Sequence, residues 1–365
     1  QDKVIQYLIE NGKLTTFGIE HNFLEINSYS DFNKNIPLRT YEQLFPYIER
    51  TRKGENDVLW PGEIKMFAKS SGTTNDRSKY IPISEESLKN CHFKGGRDML
   101  SLYCNNFTDT HIFNGKGLML GGSKESNATF QFTDGDLSAL LIDNFPFWVN
   151  MHRVPDLETA LMKDWDKKLD MMCEQSLNSN ITNITGVPSW MLVLFNRMIE
   201  ESGAKNILEI WPNLELFMHG GVNFGPYINQ FERFIPSKKM NYLEAYNASE
   251  GFFGIQDQKN SKDLLLMLDY GIFYEFLLLS EYNKEEMKAI PLSDVKLDEV
   301  YVIVISTNGG LWRYIIGDTI RFTSLNPYRI KIVGRTKSFL NSVGEELVVE
   351  NTELAVEECS LIHKC

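Results

Sequence analysis

Two regimes of pattern divide this chain, and together they restrict the folds open to it. Up to about residue 250, short apolar runs (Leu118–Leu120, Glu215–Met218, Tyr242–Tyr246) alternate with helical stretches, the rhythm of an α/β body. From Leu264 onward, strand-like runs follow one another: Leu264–Leu268, Ile272–Leu279, Glu299–Ser306, Trp312–Ile316 and Ile320–Thr323. Such a succession predicts antiparallel pairing. The expectation is an α/β lobe of mixed sheets with flanking helices and an attached β-subdomain. With 365 residues the chain can bury a core large enough to hold a pocket.

Local signals place several helices. Thr40 with Gln43 forms a capping-box pattern for a helix to about Arg52. Ser84, followed by Glu85 and Glu86, caps a helix to about Cys104, with Leu88, His92, Met99, Leu102 and Tyr103 on one side and Arg97 on the other. Gly95–Gly96 inside that helix lowers its stability, so another element is expected to approach its backbone closely. A charged helix over about Asp156–Gln175 and one from Pro188 to Glu201 follow.

The stretch Phe67–Pro82 is apolar at both ends and carries Ser70, Ser71, Gly72, Thr73, Thr74, Arg77, Ser78 and Lys79 between them. Consecutive backbone N–H groups, hydroxyl donors and a mobile ammonium can together wrap a phosphate. The same residues also read as a Ser/Thr-rich turn between two strands. P-loop spacing and G-x-G-x-x-G are both absent, so neither a Walker-type ATPase nor a Rossmann site is indicated.

A net charge of −12 argues against a nucleic-acid or membrane-surface partner, since both need a basic face. An anionic substrate still fits where Lys69, Arg77 and Lys79 cluster. The five scattered cysteines suit a reduced, cytoplasmic protein and supply no zinc set. No signal-peptide pattern follows Gln1, and the apolar run Leu264–Leu279 is interrupted by Asp269 and Glu275.

Three later stretches could meet the hydroxyl-rich loop. In Tyr242–Gly254, a strand delivers Tyr246 and then Glu250 into a glycine-bounded turn, suited to a flat base and a metal-bridged phosphate. Asp318, after Gly317 at an expected strand end, can accept from both hydroxyls of a ribose. Arg335, in Gly334–Leu340, could support the same sugar or a phosphate. The plain alternatives are a strand-end aromatic, a solvated acid, a hairpin aspartate and a surface arginine. Phe145, Phe147, Trp148 and Trp190 read either as a pocket wall or as core.

In their order, these stretches resemble the adenylate-forming superfamily of acyl-CoA synthetases, peptide-synthetase adenylation domains and luciferase. Ser70-Ser71-Gly72-Thr73-Thr74, the Tyr246-x-x-Ser249-Glu250-Gly251-Phe252-Phe253-Gly254 segment and Tyr314-Ile315-Ile316-Gly317-Asp318 look more closely like the Gretchen Hagen, or auxin-responsive, family of acyl acid amido synthetases. The resemblance runs from Gln1 to about Glu358, and Asn75-Asp76 is a variant associated with its bacterial members.

The resemblance implies ATP- and Mg²⁺-dependent activation of a carboxylic acid to an acyl-adenylate, then transfer to an amino acid or another amine. It implies that Ser70, Ser71, Gly72, Thr73, Thr74 and Lys79 hold the phosphates, that Gly221, Tyr246 and Phe253 border the adenine, and that Glu250 holds Mg²⁺. Asp318 would bind the ribose with Arg335 beside it, and Lys79 and Glu250 would be the catalytic groups. Arg97 stands about one residue out of step with the arginine that grips the acyl carboxylate in plant members. Residues 1–333 would form the large lobe and 334–365 the hinge, at Lys337, and the start of a small lobe mostly absent from this sequence. Two other readings are an acyl-CoA ligase using the same adenylation step and a nucleotide-binding protein without turnover.

Overall fold

Strand Asn241–Ala248 is the seam of the molecule. On one side it runs parallel to Leu216–His219, followed across the sheet by Ile181–Gly186, Lys116–Met119 and Arg153–Val154, all parallel. On the other it pairs antiparallel with Gly251–Ile255, and the sheet continues through Leu264–Leu266, Tyr328–Arg335, Tyr314–Leu325, Val300–Thr307, Ile272–Leu278 and Ile290–Pro291. The β-rich half is therefore continuous with the α/β half: twelve strands share one sheet in this computed structural model, which describes residues 1–70, 78–127, 131–259, 261–336, 340–342 and 345–347. A separate four-stranded sheet holds Lys79–Ile83, Met66–Ser70, Phe132–Gly135 and Lys124–Asn127 in that order.

Helices cover the parallel half, as parallel strands buried on both faces require. Helices Trp165–Leu177, Pro188–Ser202 and Ile228–Phe234 enclose a core of Met172, Leu194, Phe195, Phe217 and Phe231. The expected helix from Asp156 is two: Leu157–Ala160, then Trp165–Leu177 after a fresh N-cap in which Asp164 Oδ1 accepts from the Lys167 N–H at 3.2 Å. The capping box is present, with Gln43 Oε1 accepting from the Thr40 N–H at 2.8 Å at the start of Tyr41–Arg52.

The helix after Ser84 departs from regular α geometry. Ser84 Oγ accepts from the Ser87 N–H, but Leu88–Phe93 then forms a π-helical segment before the α-helix Lys94–Asn106 begins. A π segment shifts the phase of the side chains beyond it. Gly95 meets the expected close approach: a Cβ there would lie 2.4 Å from the Phe252 ring, whereas Gly96 faces nothing within 4 Å.

The N-terminal helices pack on the segment leading into Tyr314–Leu325. Trp312 is fully buried, donates from Nε1 to the Leu59 carbonyl at 2.9 Å, and lies edge-on to Phe23. Arg313 adopts φ +45°, rare for a side-chain-bearing residue, and its fully buried guanidinium forms a two-pronged bond with Glu275 at 2.9 Å on each prong. Nη1 donates to the Ile36 and Asn33 carbonyls, and Tyr29 donates to Glu275 Oε1 at 2.8 Å. Removing one partner strands a buried charge. Arg313→Met should lower unfolding stability by about 3–5 kcal/mol in denaturant titration, and Arg313→Met/Glu275→Leu should recover part of that loss.

Candidate functional site

Asp318 owes its place to an irregular strand. Val302 and Val304 face Thr319 and Ile315, so Ile316–Asp318 bulge out of the ladder, with Gly317 at φ +90°. This corrects the sequence reading of a strand end, because Tyr314–Leu325 runs on without a break. The bulge carries Asp318 toward the seam strand, where Tyr246 donates its hydroxyl to Oδ2 at 2.6 Å. Arg335, the register partner of Asp318, reaches Oδ1 with Nε at 3.0 Å. Burial and the charge of Asp318 hold the Tyr246 phenol well above its ordinary pKa, so it remains a donor.

Lys79 enters from the other sheet. It lies opposite Ser70 in the hairpin register, donates from Nζ to the Tyr314 hydroxyl at 3.3 Å, and sits between the rings of Tyr41 and Tyr314 at 5.5 and 5.9 Å. Glu250 follows the seam strand and is half-buried. Its carboxyl is pushed up to about 7, by burial first and then by the charge of Asp318, while Lys79 and Arg335 pull the other way. Two carboxylates and two cations from three distant parts of the chain thus act on one another. This arrangement can accept a polyanion through the cations and sugar hydroxyls through Asp318.

The remaining expected residues are placed as follows. Ser71, Gly72, Thr73, Thr74 and Lys337 lie outside the described residues. Ser70 lines a cavity of about 270 Å³ with Lys69, Ser78, Ser123, Glu125 and Asp136, and that cavity includes none of Lys79, Glu250 or Asp318. Phe253 has no exposed surface and packs behind Tyr246, with ring centroids 4.8 Å apart. Gly221 is exposed at φ +82°, in the turn that leaves the C-terminal end of the strand beside the seam. Arg97 points to solvent with 72% of its side chain exposed, and its ion-pair partner is Asp98 at 3.7 Å, so the structure does not bring it to the other site residues. Phe147, Trp148 and Trp190 are exposed and build no core, whereas Phe145 is half-buried against Phe93 at 5.5 Å.

Sequence reasoning passed over several groups. Tyr41 and Tyr314 flank Lys79, and only the repeated aromatics near the motifs hinted at them. Lys168 is buried and donates to the Gly121 and Gly122 carbonyls at 2.6 and 2.8 Å, which burial accompanies with a pKa lowered to about 8. His92 is buried against Asn247, and His219 against Phe224 at 4.3 Å; burial lowers both imidazoles to about 4. Among the described residues, no group of three or more His, Cys, Asp or Glu is placed to hold a metal by itself, and no helix is long and apolar enough to cross a membrane.

The Glu250 shift has a defined sign. A carboxyl that holds its proton to higher pH when folded stabilises the fold fully below its ordinary value of 4.5, and that contribution is lost as pH rises through about 7. Glu250→Gln should therefore gain stability relative to the parent as pH rises from 5 to 8, by roughly 1–3 kcal/mol. Thermal melts of both proteins across that range measure the difference, and a constant gap would contradict the shift.

Comparison with known proteins fits this geometry. The profile of the GH3 family N-terminal domain matches residues 1–240, and that of the GH3 family central domain matches residues 265–335. The chain is 29% identical to an indole-3-acetic acid-amido synthetase of Arabidopsis thaliana, over 99% of this chain and 71% of that protein. It is 22% identical to a jasmonoyl–L-amino acid synthetase of Nicotiana attenuata, over 99% and 73%. In three dimensions it superposes on an acyl acid amido synthetase solved with 2,4-DB at a TM-score of 0.82, with 18% identity, covering all of this chain and 72% of the other. It also superposes on a 2-hydroxyisobutyryl-CoA ligase bound to 2-HIB-AMP and CoA at 0.55, with 13% identity, covering 94% and 76%.

Proposed function

This chain belongs to the GH3 family, and from that premise we propose that it is an ATP-dependent acyl acid amido synthetase. In the first half-reaction, a carboxylate oxygen of the acid attacks the α-phosphorus of ATP. The bond to the bridging oxygen breaks and pyrophosphate leaves. In the second, an amine, such as that of an amino acid, attacks the acyl carbon; the amide forms, AMP leaves, and the nitrogen gives up a proton. The observation that carries this reading is Asp318 held between Tyr246 and Arg335, with Lys79, beside Tyr314, close enough to act on Glu250.

The residues divide the work by charge. Asp318 already accepts from Tyr246 and Arg335, yet each carboxylate oxygen has a second lone pair to offer a ribose hydroxyl. Tyr246 borders the base, with Phe253 as its backing, and Gly221 lies at the same edge of the sheet. Lys79, held between two tyrosine rings, stabilises charge on the departing phosphates. Glu250 fits Mg²⁺: that ion takes one or two carboxylates and completes its shell with water and phosphate oxygens, and a half-buried carboxyl with a raised pKa gains from a nearby cation. When bound, Mg²⁺ would neutralise phosphate charge. The proposed division into a large lobe, 1–333, and a hinge with the start of a small lobe, 334–365, falls inside strand Tyr328–Arg335, before its last two residues.

With ATP, Mg²⁺ and a panel of acids, pyrophosphate should be released only with a matching acid, and amide should form with an amino acid. Consumption of coenzyme A in its place would reassign the protein as an acyl-CoA ligase. Lys79→Ala should cut pyrophosphate release about 10²-fold or more with the thermal midpoint little changed. Asp318→Ala should raise the KM for ATP about tenfold, through the loss of hydrogen bonds to the ribose. Steady-state kinetics that leave both values unchanged would remove these residues from the site.

A further inference from the structure

The seam strand has a second face. Successive side chains of a strand point to opposite sides, so Asn247 faces away from Tyr246 and toward the helical segment that follows the hydroxyl-rich loop. There His92 is buried, with 3% of its surface exposed, and its Nδ1–H donates to Asn247 Oδ1 at 3.1 Å. Two further contacts hold this juxtaposition. Phe252, the register partner of Asn247, donates its N–H to Cys91 Sγ at 3.2 Å, and its ring fills the space that a side chain at Gly95 would need. The π-helical segment Leu88–Phe93 is what carries Cys91 and His92 to the same strand pair.

The orientation of Asn247 follows. Its Oδ1 is engaged by His92, while its Nδ2, on a half-buried side chain, is not among the enclosed polar atoms and donates to no described residue. An amide so turned points its two N–H donors away from His92. Burial keeps the His92 ring neutral down to about pH 4, so the bond persists across the working pH range. Phe93, which follows His92 in the same helical segment, packs against Phe145 with ring centroids 5.5 Å apart. A pair of N–H donors with no partner among the described residues, three residues before Glu250, matches the oxygens of a carboxylate.

We propose that Asn247 is a substrate-positioning residue that donates from Nδ2 to the carboxylate of the acyl acid, and that His92 is the residue that holds its amide in that orientation. The nucleotide would then lie on the Tyr246 face of the strand and the acid on the Asn247 face. The two meet where the strand ends at Ala248, just before Glu250. This inference rests on the synthetase reading above.

The test uses the complete polypeptide with ATP, Mg²⁺ and benzoate, 4-hydroxybenzoate, indole-3-acetate and hexanoate as probes. Kinetics are followed on whichever acid the parent turns over best. Asn247→Asp replaces the donors with a negative charge and should raise the KM for the acid about 10- to 100-fold, with the KM for ATP changed less than about twofold. Asn247→Ser serves if the aspartate variant does not fold. His92→Leu should show the same selective rise, and His92→Asn, whose Nδ2–H replaces the ring N–H, should restore most of the parent value. Equal shifts in both KM values, or none, would overturn the assignment. So would a His92→Asn variant that folds yet performs no better than His92→Leu. If the parent releases no pyrophosphate with any probe, the synthetase reading falls and takes this inference with it, an outcome distinct from failure of the variants alone.

Discussion

The buried pair between Arg313 and Glu275 sets the conditions for the rest of the structure. A guanidinium and a carboxylate out of water are stable only when well paired, and here two N–H groups meet the carboxylate while two backbone carbonyls of the N-terminal region accept from Nη1. Those carbonyls are nearly 280 residues away in sequence, so the pair ties the first helices to the late strands. Its consequence is local as well. With Arg313 held in a left-handed backbone conformation and Trp312 locked under Leu59, Tyr314 starts its strand at a fixed point, and everything after it inherits that phase.

From that point two side chains act at a distance. Tyr314 meets Lys79, and four residues later the bulge at Gly317 turns Asp318 toward Tyr246. One link joins the separate four-stranded sheet to the β-rich half and the other joins that half to the seam strand, so the site belongs to no single part of the chain. Ligands of open sheets collect where strand direction or connection changes, and the seam strand is such a place: parallel neighbours lie on one side and antiparallel ones on the other. A site distributed in this way assembles only when the whole sheet does.

This explains which parts of the molecule could be read from the residues. The capping box at Thr40, the cap at Ser84 and the close approach at Gly95 are local or nearly so, and short-range chemistry announced them. Motif order was also legible, since each motif is a short run. The bulge at Asp318 was not, because a bulge is a mismatch between two strands and is invisible in either one. The break at Leu161–Asp164 hid for a related reason: helical periodicity runs across it, and only the Asp164 cap, one acid among many in that segment, marks the restart. The π segment likewise leaves no compositional trace, and the partners of His92 and Lys79 stand 155 and 235 residues away. Arg97 shows the converse, a residue whose place by analogy is not supported by its exposure.

Placing charge in this seam has opposite effects on the two kinds of group nearby. Glu250, held protonated to about 7, makes the fold lose stability as pH rises above its ordinary value; His92 and His219, held neutral down to about 4, make it lose stability as pH falls below theirs. Between roughly pH 4.5 and 6.5 the two trends oppose each other, and with two imidazoles against one carboxyl the unfolded chain binds about one proton more, so stability still rises with pH across that window. Both shifts share one cause, desolvation, which disfavours the charged form whatever its sign. Lys79 and Arg335 offset the desolvation of Glu250 only in part, so a seam of this kind gains most from a ligand that brings its own cation.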